Sequence, residues 1–294
     1  MTMPKHQQTH HFNALKKRWI KKHQEIQKKI KEKHTESLKW ISDNSKHIAV
    51  GSMTGILMLA HPANATVLTQ NLLPPPPAEE RKAYTKEELI NQLKAQLPET
   101  VQELSAEQQI AVGHTLSTFF NMTVSATLEG KSLNRSYGII GAEQHLMRYP
   151  GDTMDTHFQS SEDTKYWSSG MAPGRGAWGY FTDSRETMTQ RDVDREKYYI
   201  AVQTFLAPGW QENPNELYTF FKYRKMLVVN PENGKAIVVV IGDAGPAPFT
   251  GKHLGGSPEV MAHLERKDGG AKGPVLYFFI DDPEDTIPLG PVEI

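Results

Sequence analysis

Asp243 closes an apolar run and opens an Asp-Ala-Gly-Pro turn within Val238–Leu264, which continues through Gly251-Lys252 to a helix start at Ser257. A carboxyl where a strand feeds an ordered loop is a candidate acid or base, because a rigid scaffold holds such loops where substrates reach them. A second cluster of polar residues occupies Gly141–Asp152, with Glu143, His145, Arg148 and Asp152. Glu143 and His145 are two apart and so share one face of a strand, which makes both candidate catalytic partners of Asp243. The same stretch could instead hold a divalent cation with Asp152, Asp155 or His157. The plainer alternative, a solvated strand face followed by a Tyr-Pro-Gly-Asp turn, is preferred, and no metal or cofactor is expected.

Other chemistries find no support. The chain has no cysteine, which rules out disulfides and cysteine-ligated zinc. Gly242–Lys252 resembles a phosphate loop only faintly. His253 stands where a Ser or Thr is needed, and Pro246 and Pro248 remove amide donors. Ser52, Ser168 and Ser257 lack the strand–turn–helix setting of a nucleophilic serine.

Short strands must position these residues. Candidates are Val124–Leu128, Tyr137–Tyr149, Tyr198–Leu206, Lys225–Val229, Ala236–Ile241 and Val275–Asp281. Asn233-Gly234 marks a hairpin, since glycine tolerates the positive φ of a tight turn. Ile237–Ile241 is apolar without alternation, as in a strand buried on both faces. Ahead of the strands, Thr85 with Glu88 and Ser105 with Gln108 form capping-box patterns before apolar helical repeats. The expected class is mainly β: an interwoven barrel at 124–294, with a small helical region at 85–123 before it.

The N-terminal part has a different texture. Residues 1–47 carry twelve Lys/Arg against four Asp/Glu, residues 48–65 carry none of these, and the remainder is acidic. Apolar residues at helical spacing in 12–41 predict a basic helix that could lie on an anionic membrane face; a solvated helix or tail fits equally well. Specific nucleic-acid binding is not expected from a basic run alone. Ile48–Ala60 is too short to span a bilayer as an ordinary helix, but it fits the apolar core of a secretory signal, with an A-x-A cleavage site at Ala63–Ala65. If uncleaved, residues 48–60 would anchor the chain in a membrane. Pro74–Pro77 stiffen a linker over 66–84.

The pieces Leu227–Asn230, Asn233-Gly234, Ile237–Ile241, Asp243-Ala244-Gly245-Pro246, Gly251-Lys252, Ser257–Leu264 and Val275–Ile280 follow one another in an order that resembles the six-stranded double-psi β-barrel of rare lipoprotein A-type proteins, and more distantly expansins and barwin-like domains. That resemblance covers about a fifth of the chain. It implies a secreted or cell-surface protein, free or membrane-anchored, that acts on peptidoglycan or a related envelope glycan. It also implies a lytic transglycosylase role for Asp243 as general acid/base, with the apolar wall of Ala236–Ile241 raising its pKa. Three positions depart from the family. Gln203 stands nearest to its histidine, Gly255 replaces its second aspartate, and Ala244 replaces the arginine of its loop. Substrate contact is expected from Gln203, Gly245, Lys252 and His253 around Asp243, and from Trp178 and Tyr180 among the loop aromatics. The commoner role for such aromatics is to pack satellite cores under long loops. A non-catalytic module that binds glycan or protein is the alternative to an enzyme.

Overall fold

The computed structural model describes residues 84–158, 160–266 and 272–294, all within one compact unit. The basic segment, the signal or anchor at 48–65 and nearly all of the 66–84 linker lie outside the described residues. Among those described, no helix is long and apolar enough to cross a membrane.

Two helices come first, α1 (Lys86–Gln96) and α2 (Ala106–Phe120). Both open with the capping boxes the sequence predicts: Thr85 Oγ1 accepts the Glu88 amide, and Ser105 Oγ accepts that of Gln108. Then follow β1 (Val124–Ser125), β2 (Thr127–Leu128), β3 (Lys131–Ser132) and β4 (Tyr137–Ala142). After them come α3 (Met154–His157), α4 (Gln190–Lys197), β5 (Tyr199–Val202), α5 (Pro214–Phe221), β6 (Lys225–Val229) and β7 (Ala236–Ala244). The chain ends with β8 (Leu254–Gly256), α6 (Pro258–His263), β9 (Lys272–Ile280) and β10 (Gly290–Val292).

Six strands close on themselves in the order β9–β4–β8–β5–β7–β6 and back to β9. The β4/β8 and β5/β7 pairs are parallel and the rest antiparallel. Closure removes the free edges on which strands aggregate. The hairpin between β6 and β7 turns at Asn233-Gly234, with Gly234 at φ 69°.

Side-chain alternation explains the apolar runs. Met226, Val228, Ile237, Val239, Ile241, Val275, Tyr277 and Phe279 fill the barrel. Their neighbours Leu227, Val229, Val238, Leu276, Phe278 and Ile280 point outward beneath α1 and α2, where Leu89, Leu93, Leu116 and Phe119 cover them. Strands buried on both faces need no polar face, and each such side chain contributes about 1.5–3 kcal/mol.

Several boundaries differ from the sequence expectation. The strand expected over Tyr137–Tyr149 stops at Ala142, because beyond it side chains replace a partner strand: Glu196 Oε1 takes the Leu146 amide and Asp152 Oδ2 that of Arg148. Tyr198–Leu206 keeps only Tyr199–Val202 as strand, then tightens into a 3₁₀ turn over Thr204–Leu206. β7 runs on past Ile241 to Ala244, so Asp243 belongs to the strand. β3, β8, β10, α3, α4 and α5 were not expected.

Candidate functional site

Asp243 owes its position to a bulge. Ile200 pairs with Ile241 but Ala201 pairs with Asp243, so Gly242 is an extra residue in β7. Plain alternation would send Asp243 inward like Ile241; the extra residue takes it out of that phase and leaves it half-buried at the barrel rim. Gly242 is required there, since a Cβ would lie 2.7 Å from that of Tyr199. The loop 171–178 closes over the strand end. Its Ala177 amide donates to Asp243 Oδ1 at 2.7 Å, and the Ala244 amide donates to the same oxygen at 2.8 Å. Among the described residues, no hydrogen bond involves Oδ2. Burial raises the Asp243 pKa from its ordinary value, the two amides oppose that, and the nearby Glu143 charge adds to it.

Glu143 leaves the end of β4 and fills the space over Gly255, where a Cβ would come 2.2 Å from its carboxylate. Its Oε1 accepts from Lys252 Nζ at 2.6 Å. Glu143 also borders a cavity of about 960 Å³ whose wall includes Tyr166, Lys197, Tyr198 and Glu259. Glu259 is buried, which lifts its pKa to about 7, aided by the Glu196 charge.

The remaining expected contacts are structural in their bonding. Gln203 is buried and donates to the carbonyls of Pro246 (3.0 Å) and Lys252 (3.4 Å), bracing the loop after Asp243. Gly245 gives its amide to the Val202 carbonyl. His253 Nδ1 accepts the Ile139 amide, its Nε2 lies 2.9 Å from Arg135, and burial with that cation lowers its pKa. Trp178 is only 9% exposed, packs into the barrel core and donates to the Tyr218 carbonyl, so the packing alternative describes it. Tyr180 is partly exposed beside the Arg175 guanidinium.

His145 is not beside Asp243, nor on a solvated face. It is fully buried with Asp152, His157, Arg148 and Glu196, the last of which sequence reasoning missed. The Thr189–Asp192 capping box would have revealed α4, though not that Glu196 faces inward. His157 bridges two carboxylates, with Nδ1 at 3.0 Å from Asp152 and Nε2 at 3.0 Å from Glu196. Arg148 Nε holds Asp152 at 2.9 Å. Burial works against the His157 charge, but its two carboxylate bonds outweigh it and hold the pKa at about 9.

No family model matches the chain, and no curated protein matches it in sequence.

Proposed function

We propose that the barrel is of the double-psi type and cleaves peptidoglycan or a related envelope glycan in the manner of a lytic transglycosylase, as an exported protein. The observation that carries this is Asp243: a bulge-placed, half-buried carboxyl with a raised pKa, tethered through Oδ1 alone. Internal capture needs one group in two roles. The protonated carboxyl gives its proton to the leaving glycosidic oxygen, and the resulting carboxylate takes one from the sugar hydroxyl that attacks the anomeric carbon. The two amides orient the group without neutralising it. Glu143 raises its proton affinity, while Lys252 fixes Glu143 over Gly255. Tyr166 and Tyr198 on the adjoining cavity offer rings for sugar stacking in place of the buried Trp178.

Gln203 favours a second reading. It stands nearest to the family's histidine yet is engaged with two carbonyls, which leaves no second proton carrier of that kind beside Asp243. The domain would then bind glycan without cleaving it.

Mass spectrometry of peptidoglycan incubated with the protein separates the two. Anhydro-muropeptides released by the wild type, and reduced at least about 100-fold by Asp243→Asn, support the enzyme. Equal release by both proteins excludes Asp243 as the acid. Co-sedimentation without release by either moves the reading to a binding module.

A further inference from the structure

His145 presents an anomaly. It is 0% exposed, and among the described residues neither ring nitrogen has an aligned hydrogen-bond partner. A buried imidazole without an aligned hydrogen bond recovers little of the hydration it gives up. Its Nδ1 does lie 3.4 Å from Glu196 Oε1, but the ring is not aligned to donate. Two ligands about 2.0–2.2 Å from a tetrahedral zinc stand roughly 3.3–3.5 Å apart. The spacing therefore suits a shared cation better than a shared proton.

We propose that His145, His157 and Glu196 form a buried binding site for a divalent cation of the zinc type. One ligand atom from each of the three lies within 4.8 Å of the others, and all three side chains are buried. The donor set of two imidazoles and a carboxylate is what zinc favours.

The surroundings have the form of an outer shell. His157 presents Nε2 toward Glu196 while Nδ1 contacts Asp152 Oδ2 at 3.0 Å, a carboxylate–histidine arrangement that fixes which nitrogen faces a metal. Arg148 Nε and Nη2 hold Asp152 in turn, at 2.9 and 3.2 Å. The Leu146 amide holds Glu196 Oε1 at 2.9 Å. Glu259 adds a buried Oε2 without a partner, close enough for Glu196 and His145 to act on it electrostatically. Binding displaces the proton on His157 Nε2, which leaves to solvent, so affinity rises with pH.

The ion would tie the 145–157 segment to α4. The same segment carries His145 paired to the loop 171–178, whose backbone bonds run from the His145 amide to the Gly170 carbonyl and from the Ala172 amide to the His145 carbonyl. Occupancy would thus steady the loop that reaches Asp243.

The test uses the full chain with His6, His10, His11, His23, His34, His47 and His61 changed to Ala, which removes the histidines of the N-terminal part as competing ligands. Chelator-stripped protein is dialysed against buffered zinc, then measured for zinc content and melting temperature. Cobalt(II) replaces zinc for a visible spectrum. The expected result is one zinc per chain, a higher melting temperature, and the intense visible absorption of four-coordinate cobalt. Imidazole ¹⁵N spectra of the zinc-loaded protein should show two metal-bound histidines. His145→Ala should abolish binding, and Asp152→Asn should weaken it about 10–100-fold. Zinc content no higher than in a metal-free control, or unchanged affinity in folded His145→Ala, overturns the site. Should that variant not fold, the ¹⁵N spectra decide, and absence of metal-bound imidazole nitrogen overturns it equally.

Discussion

Asp243 and Glu196 are both carboxylates whose charge the buried hydroxyl of Tyr199 feels. Burial is the largest influence on each and pushes both pKa values up. The outcomes nonetheless diverge. Asp243 stays raised, while Glu196 is brought down to about 2. Asp243 receives two neutral amides and faces another carboxylate; Glu196 faces His145 and His157. The contrast teaches that burial alone does not make an acid. A carboxyl that must carry a proton has to be kept from cations, and one that anchors a loop has to be given them.

The sharpest way to break this contrast is to remove each carboxylate. Glu196→Ala leaves the Leu146 amide unbonded and takes one of two anionic partners from His157. In zinc-free protein we expect a loss of about 3–5 kcal/mol, read as a lower urea midpoint with an unchanged slope. Asp243→Asn should change stability by less than about 1 kcal/mol, since the charge it removes is poorly compensated. Comparable losses in both variants would erase the distinction.

Glu259 tests the same principle on a third carboxylate. Its folded pKa of about 7 lies above the ordinary value of 4.5. Between those values the folded state holds the proton that the unfolded state has released, so stability falls as pH rises. The contribution is complete below pH 4.5 and lost as pH passes about 7. Against Glu259→Gln, the chelated wild type should lose on the order of 2 kcal/mol more between pH 5 and 8. Parallel stability curves for the two proteins would show that Glu259 titrates normally. Groups acting on it include Glu196, His145 and Lys197, so the difference between the curves, not the wild-type curve alone, is the observable.

The sequence made one of these regions readable and hid the other. Asp243 was legible because its strand, its loop and the Ser257 cap are consecutive, and local patterns report local structure. The two helices with capping boxes and the β6–β7 hairpin were legible for the same reason. The buried cluster was not, because it joins His145 and His157 to a glutamate 39 residues beyond the latter. Nothing in the spacing of Glu143 and His145 shows that the chain leaves the sheet at Ala142 and separates them. β8 was missed because Leu254-Gly255-Gly256 has poor strand propensity. Its glycines serve close packing: Glu143 occupies the place of a Gly255 side chain, and a Cβ on Gly256 would meet Ile140 at 3.1 Å. Trp178 misled in the other direction, since Gly-rich flanks suggested exposure for a ring that closes the core.

The finest probe concerns the amide that steadies Asp243. Gly176 lets the loop 171–178 approach β7: an added Cβ would stand 3.1 Å from the Gly242 carbonyl and 3.2 Å from Leu146. The Gly242 carbonyl belongs to a paired strand, so in Gly176→Ala we expect the loop to be the part that shifts, by a few tenths of an ångström. The Ala177–Asp243 bond, 2.7 Å in the native protein, then lengthens. That bond lowers the Asp243 pKa, so its weakening moves the pKa further up. Because the protonated carboxyl is the active form, the expected result is a rise of less than about one unit in the upper limb of the pH–activity profile, where activity falls with pH, with a stability loss near 1 kcal/mol. Zinc affinity should change little, because none of the three ligands bonds to Gly176 and the loop's bonds to the site run through the backbone of His145 rather than through a ligand atom. An unmoved profile would mean the Ala244 amide alone holds Oδ1. A fall in zinc affinity would mean the two regions communicate through Leu146, whose side chain meets the loop and whose amide holds Glu196.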